Sequence, residues 1–378
     1  MKPRQTVLVI DDDSSVTSAL SMLLEHDGRT LILCSDVESA ELMLARHPVT
    51  HVLSDVQFSG PFGFEGLHFL TRIREQRPAC RIVLMTGAVT DALRDVAGRL
   101  GAASVLAKPF DLSELEEAME LDGAAEGAYE LLTVPPLDEV LRSGLLSTAF
   151  QPIVTLNGAI FGFEALARIE GAWGGGAITE LFEYAAKRER LAELNVAALT
   201  SAIAGARALA GEMALFINVD PMTFDRGDVA GALRATAAKH AVPLSRVVLE
   251  ITERSSFLDP ASVLPAIESL RADGVRFALD DHGSAYSHLS LIDQIRPAFI
   301  KISPTFGTAF DEDAMRLRVV RNIASLARDF GCRTILEGVE SASTARAAAA
   351  HGIDLAQGYY FGRPHAASHW IDATRVAA

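Results

Sequence analysis

The chain has 378 residues, 49% apolar and 22% charged, with a formal net charge of −15. That length exceeds one ordinary core and predicts two domains. No run of eighteen apolar residues occurs, and the acidic balance argues against DNA or a membrane as partner.

Met1-Lys2-Pro3-Arg4 shows no signal-peptide pattern, so a cytoplasmic location is expected. Cys34, Cys80 and Cys332 lack metal-ligand spacing and are expected to be reduced structural thiols. Short apolar runs then alternate with helical patterns. Val7-Leu8-Val9-Ile10 ends in Asp11-Asp12-Asp13, and Ser14 is placed to cap a helix with Val16, Leu20, Leu23 and Leu24 on its apolar side. Later runs end at Asp55, at Thr86-Gly87 and at Lys108-Pro109. This βα alternation predicts a parallel sheet covered on both faces, with ligands beyond the carboxyl ends of the strands. Carboxylates from two strand ends suit Mg²⁺, a third suits a phosphoryl acceptor, and a hydroxyl with an ammonium suits phosphoryl oxygens.

Residues 1–121 resemble a response-regulator receiver domain, with Asp11, Asp12, Asp55, Thr86 and Lys108 in the family's order. The resemblance implies a flavodoxin-like, doubly wound fold and a sensor histidine kinase as partner. It makes Asp55 the phosphorylation site. Asp11 and Asp12, with Asp55, would hold one Mg²⁺, Thr86 would be the switch hydroxyl, and Lys108 would contact the phosphoryl group. Val105 stands where the family has an aromatic switch residue, and the loop VQFSGPFGFEG after Asp55 is longer and lacks the usual Met-Pro.

Small and polar residues from Asp122 to Ala128, followed by Pro135-Pro136, mark a linker over 122–136. Beyond it, over 137–378, Ala149 to Val154 and Ala159 to Ile169 form a predicted hairpin around Asn157-Gly158. Glu164, Leu166 and Arg168 share one side of the second strand by the period of two. Glu164 and Arg168 are open to a plain salt bridge as well as to a ligand. Further apolar runs lead to Asn218, Glu250, Asp280, Lys301, Glu337 and Gln357, with helical patterns between them. Roughly 240 residues of such units predict a (β/α)₈ TIM-type barrel with polar residues at its carboxyl-terminal mouth. Asp280-Asp281 ends one strand, just before His282-Gly283-Ser284-Ala285. Two neighbouring carboxylates repel, so either one caps the next helix or a divalent cation compensates them.

These segments are similar to the EAL phosphodiesterase family, which hydrolyses cyclic di-GMP. The motifs are Gln-Pro-Ile-Val at 151–154, Glu-Ala-Leu-Ala-Arg at 164–168, Ile-Asn-Val at 217–219 and Leu-Glu-Ile-Thr-Glu at 249–253. Asp-Asp at 280–281, Ile-Lys-Ile at 300–302, Glu-Gly-Val-Glu at 337–340 and Gln-Gly-Tyr at 357–359 complete the series. The resemblance implies a barrel with one antiparallel strand, and two Mg²⁺ or Mn²⁺ ions. Glu164, Asn218, Glu250 and Asp280 would hold the first; Asp280, helped by Asp281, would hold the second. Lys301 would orient the attacking water or stabilise charge, and Glu337 would act as base or water-positioning group. With Asp281 and Glu164 these form the implied catalytic set. Gln151, Leu166, Arg168 and Gln357 would lie against the ligand, and Glu253 would anchor a loop. A homodimer or higher homo-oligomer is implied as well. The family's Asp-Asp-Phe-Gly segment has His282 for Phe, its later Gly is Ala285, and its Lys-Ile-Asp reads Lys301-Ile302-Ser303. Two functions follow as expectations: hydrolysis of cyclic di-GMP to pGpG under phosphorylation control, or a module that binds cyclic di-GMP or a protein without turnover.

Overall fold

The structure is a computed structural model that describes residues 5–26, 28–57, 65–121, 129–134, 137–142, 145–169, 177–209, 211–220, 223–226, 229–252, 260–282, 289–308 and 310–375. The chain divides into two compact units: residues 1–145 with 169–189, and residues 146–168 with 190–378. Among the described residues no helix is long and apolar enough to cross a membrane.

The first unit is built on strands β1 (Gln5–Ile10), β2 (Arg29–Cys34), β3 (His51–Asp55), β4 (Arg81–Thr86), β5 (Ser104–Ala107) and β6 (Glu130–Thr133). Their order is β5-β4-β3-β1-β2-β6, and neighbouring strands run parallel. Val7, Leu8, Val9 and Ile10 are fully buried, as a strand covered on both faces requires. The first helix starts at Ser14, but its cap is Asp13 rather than Ser14. The Asp13 carboxylate reaches the Ser15 amide at 2.8 Å and satisfies an otherwise orphaned N–H. Within the linker, partial order is expected over Glu130 to Val134. Residues 130–133 form a complete parallel strand on β2, from Thr30 opposite Glu130 to Leu33 opposite Thr133. Leu132 and Val134 are buried there, and the strand covers what would be an open sheet edge.

The second unit closes strands β7 (Leu146–Thr155), β8 (Ile160–Ile169), β9 (Ala214–Val219), β10 (Val247–Thr252), β11 (Arg276–His282), β12 (Phe299–Ile302), β13 (Arg333–Leu336) and β14 (Leu355–Gln357) into a barrel. β8 to β14 run parallel, and β7 pairs antiparallel with β14, which is the predicted reversed strand. The helical pattern between β8 and β9 is two helices, Ala177–Lys187 and Leu191–Ala206, separated at Glu189, whose φ of 56° interrupts helical geometry.

The period of two sorts each barrel strand into an outer and an inner row. Leu215, Ile217, Leu249, Ile251, Phe277 and Ile300 pack in the core that includes the helices. Ile153, Ala214, Phe216, Val248, Ala278, Phe299, Ile335 and Leu355 form a separate apolar layer. Phe216 and Phe299 meet edge to face in it, with centroids 5.1 Å apart. One pleat further along, on the same side of each strand, the residue is polar. Phe216 is followed by Asn218, Val248 by Glu250, Ala278 by Asp280, Phe299 by Lys301, Ile335 by Glu337 and Leu355 by Gln357. On the reversed strand Gln151 precedes Ile153, so it reaches the same polar layer. An apolar floor thus carries a ring of polar side chains.

Candidate active site

Lys301 lies at the centre of this ring. Its side chain is 1% exposed, and its ammonium is 2.8 Å from Glu337, 3.1 Å from Glu250, 3.2 Å from Asp280 and 3.4 Å from Glu164. Four carboxyl groups from four strands therefore face one cation. Glu164 is fixed from two more strands: Asn218 Nδ2 donates to it at 3.0 Å and Gln357 Nε2 at 2.6 Å. Gln357 also donates to Gln151 at 3.1 Å, and Gln151 to the Gly362 carbonyl at 3.2 Å.

The crowding shifts protonation. Burial raises the Glu250 carboxyl far above the usual range against the pull of Lys301, and the other three acids add to the rise. Burial likewise pushes Glu337 up to about 8, with Asp280 and Glu164 reinforcing it and Lys301 opposing it. Glu164 goes the other way. Burial favours its neutral form, but Lys301 and donors including Gln357 and Asn218 outweigh that and hold it below the ordinary value. Burial disfavours the Lys301 ammonium, and the surrounding carboxylates more than restore it.

The set fits a divalent cation by a direct structural criterion. Glu250 Oε1, Asp280 Oδ1 and Gln357 Oε1 are buried and accept no hydrogen bond among the described residues. Asp280 Oδ1 is close to Lys301 as a charge, yet without hydrogen-bond geometry. Orphaned acceptor oxygens beside concentrated carboxylates are what Mg²⁺ or Mn²⁺ needs.

The Asp280-Asp281 step has a backbone cause. Leu279 pairs with Ile300 and His282 with Ile302, so three residues of β11 advance against two of β12. This bulge places one extra residue opposite Lys301 and re-aims the chain at the strand's end. Asp281 and His282 belong to β11 as backbone. Their side-chain positions, together with Glu253 and the segment 283–288 that includes Ala285, lie outside the described residues.

A cleft of about 270 Å³ opens beside the ring, lined by residues that include Gln151, Glu164, Leu166, Glu337, Gln357 and Tyr359. Arg168 is not in its lining; its guanidinium donates to the Ala167 carbonyl at 2.8 Å. Tyr359 belongs to the Gln-Gly-Tyr motif but carried no expected role. Arg363 stacks over its ring at 4.0 Å. Ser303 accepts a hydrogen bond from the Thr305 amide at 3.4 Å and caps the short helix Pro304–Gly307. Gly307 was also missed. A Cβ there would overlap the Glu337 carbonyl, so only a glycine lets the two backbones meet. A small residue in the turn after a ligand-bearing strand was the available signal.

In the first unit, ligand oxygens of Asp11, Asp12 and Asp55 lie within 4.8 Å of one another. Lys108 Nζ donates to Asp11 at 2.5 Å and to Asp55 at 2.9 Å. Burial raises the Asp11 carboxyl despite Lys108, and the two aspartates hold the Lys108 ammonium above its ordinary value despite burial. Thr86 is buried at the end of β4, with its hydroxyl 3.3 Å from the Ala88 amide. Three carboxylates, a hydroxyl and an ammonium therefore meet at one sheet end, and Val105 is half-buried on the neighbouring β5.

Residues 136–364 match the family described as the EAL domain, and residues 7–120 match the response regulator receiver domain. The chain is similar to the cyclic di-GMP phosphodiesterase RocR of Pseudomonas aeruginosa, 27% identical over 386 aligned positions that cover 97% of each chain. The bifunctional diguanylate cyclase/cyclic di-GMP phosphodiesterase MucR of the same species is 27% identical over 247 positions, 64% of this chain and 36% of MucR. Among solved structures, the PaMucR phosphodiesterase with c-di-GMP matches 62% of this chain and 97% of its own, at 26% identity and a TM-score of 0.56. Klebsiella pneumoniae BlrP1 with manganese and cyclic di-GMP matches 59% of this chain and 56% of its own, at 26% identity and a TM-score of 0.54.

Proposed function

The chain belongs to the EAL domain family and carries a response regulator receiver domain ahead of it, and on that premise we propose a phosphorylation-regulated phosphodiesterase that opens cyclic di-GMP to pGpG. The observation that carries the reading is the Lys301 ring: four carboxyls on separate strands, with orphaned oxygens beside a ligand-sized cleft. The proposed boundaries are 1–121 for the receiver, 122–136 for the linker and 137–378 for the hydrolase.

Two Mg²⁺ or Mn²⁺ ions at Glu164, Asn218, Glu250, Asp280 and Asp281 would neutralise the phosphodiester and acidify a water. The chain's own residues do the rest. Gln357 and Asn218 lock Glu164 in its ionised form and in one orientation. Glu337 keeps a proton at neutral pH while the site is free of cations, and gives it up as positive charge arrives. It then accepts a proton from the attacking water, 2.8 Å from the Lys301 ammonium that steadies it. Gln151, Leu166 and Gln357 face the dinucleotide along the cleft, and Arg168, two residues beyond Leu166 on the same strand, would lie against the ligand once its guanidinium leaves the Ala167 carbonyl. In the receiver, Asp55 accepts the phosphoryl group from a sensor kinase, and Asp11, Asp12 and Asp55 would hold one Mg²⁺ that neutralises its charge.

Incubation of the full chain with cyclic di-GMP and Mg²⁺ or Mn²⁺, with and without acetyl phosphate, tests the reading by the appearance of pGpG. Binding without product supports the second function, a cyclic di-GMP sensor, which Ser303 favours by capping a helix where the family has an acid. Phosphoryl labelling is expected to vanish in Asp55→Asn; a labelled variant would show that another residue is the acceptor.

A further inference from the structure

The first compact unit contains a helix from beyond the receiver match. Residues 169–189 belong to that unit, and the helix Ala177–Lys187 packs on the helix Val37–Arg46 that follows β2. Leu181, Tyr184 and Ala185 are buried along one side of it, at 0%, 2% and 0% exposure. The spacing of three and four puts them on a single helical face. On the other helix, Ala40, Met43 and Leu44 recur at the same spacing, and Leu42 is buried off that row at 4% exposure. A helix buried on more than one side has a partner besides its sheet.

Polar contacts fix the pairing. The Tyr184 hydroxyl donates to Asp36, whose other oxygen caps its helix through the Ser39 amide at 2.8 Å. Burial and the Asp36 charge raise the Tyr184 phenol, so it stays a donor. Around this centre Arg188 pairs with Glu38 at 3.2 Å, Lys187 with Glu41 at 3.1 Å and Arg46 with Glu183 at 2.6 Å. Glu41 is shared with Arg72. Each pair alone is partly exposed and weak, but linked charges around a buried hydrogen bond form a network with one register.

The docked segment has a position in the chain that matters. It follows β8, the strand that carries Glu164 and ends at Ile169, and it leads within a few residues into the helix Leu191–Ala206. β6 pairs with β2, the strand before the docking helix, at the opposite end of the strand order from β5.

We propose that the Val37–Arg46 helix is an intramolecular docking surface for residues 177–188, and that the receiver acts on the carboxylate ring by holding or releasing this connection. The docking stands on the contacts above; its regulatory consequence rests on the function proposed for the site. A two-state element of this kind couples two sites only through contacts that differ between its states.

The test uses the full chain. Hydrogen exchange of residues 177–187 is measured in Tyr184→Phe, Glu38→Arg, Arg188→Glu and the Glu38→Arg/Arg188→Glu double variant. Each single change is expected to speed exchange by about tenfold, and the charge swap to restore protection. Phosphoryl labelling of Asp55 is followed as a control on receiver folding. In the undocked variants the change in pGpG formation on adding acetyl phosphate is expected to shrink by roughly fivefold or more, with recovery in the swap. Unchanged exchange in every single variant overturns the docking. A full phosphorylation response from an undocked helix overturns the relay. If the unaltered chain makes no pGpG, the hydrolase reading fails by itself, and the relay is read instead as the effect of acetyl phosphate on cyclic di-GMP affinity.

Discussion

Removing Glu164 or Asp280 leaves Lys301 among three carboxyls and takes away a ligand oxygen from the proposed cation site. Turnover is expected to fall by roughly 100-fold or more in Glu164→Ala and in Asp280→Ala, measured as pGpG at saturating Mg²⁺. Normal activity in either would sink the shared-metal arrangement. Glu337 makes a second, pH-based prediction. Its value in the fold, about 8, lies above the ordinary 4.5. The folded state therefore binds its proton more tightly, and that stabilisation is complete below about pH 4.5 and lost as pH rises to about 8. The cation-free protein is expected to lose melting temperature between pH 6 and pH 9, and Glu337→Gln to lose less, by on the order of 5 °C. An identical pH dependence in the two proteins would mean that Glu337 is not the buried acid described. Protonation of this kind was invisible in the sequence, because it depends on which four acids end up around one lysine.

At the scale of elements, the polar layer exists because barrel strands alternate and the apolar floor stops one pleat below the mouth. That much was legible residue by residue: the apolar runs of the barrel led to polar side chains, Asn218, Glu250, Asp280, Lys301, Glu337 and Gln357. The bulge at Asp280-Asp281 was not, since register depends on a partner strand 20 residues away that no local pattern names. The Gly307 contact has the same origin, because it is made between the turns after β12 and β13. Gly307→Ala is expected to displace the Glu337 backbone and lower pGpG formation by roughly 10-fold or more. Gly98→Ala is the matched control. It sits in the helix Asp91–Arg99 with open space where a Cβ would go, and should stabilise by about 0.5–1 kcal/mol without changing turnover. Equal behaviour of the two alanines in the pGpG assay would remove the reason given for Gly307.

For the molecule as a whole, two compact units imply two unfolding transitions, each tied to its own carboxylate cluster. Mg²⁺ at about 100 times its dissociation constant contributes about 2.7 kcal/mol to the unit that binds it. Calorimetry is expected to show the barrel transition rising by roughly 5–10 °C, and the shift vanishing in a Glu164→Ala/Asp280→Ala variant. A shift that survives those substitutions would place the cation elsewhere. The formal charge of −15 fits two carboxylate clusters proposed to hold cations.

The alternation of apolar runs, the order of their terminal polar residues and the reversed first barrel strand were all determined by the amino-acid sequence, because strand periodicity and turn chemistry are local. Tertiary structure alone decided three things. The segment 130–133 became a sixth strand because β2 offered an unpaired edge. The helix Ala177–Lys187 joined the N-terminal unit because Asp36 and its neighbours could satisfy Tyr184 and its charges. Asp280, two residues beyond a buried alanine, became part of the carboxyl ring around Lys301 and not merely the end of a strand. Burial next to Lys301, Glu250, Glu164 and Glu337 leaves its oxygen without a hydrogen bond, and only charge brought from other strands can compensate it.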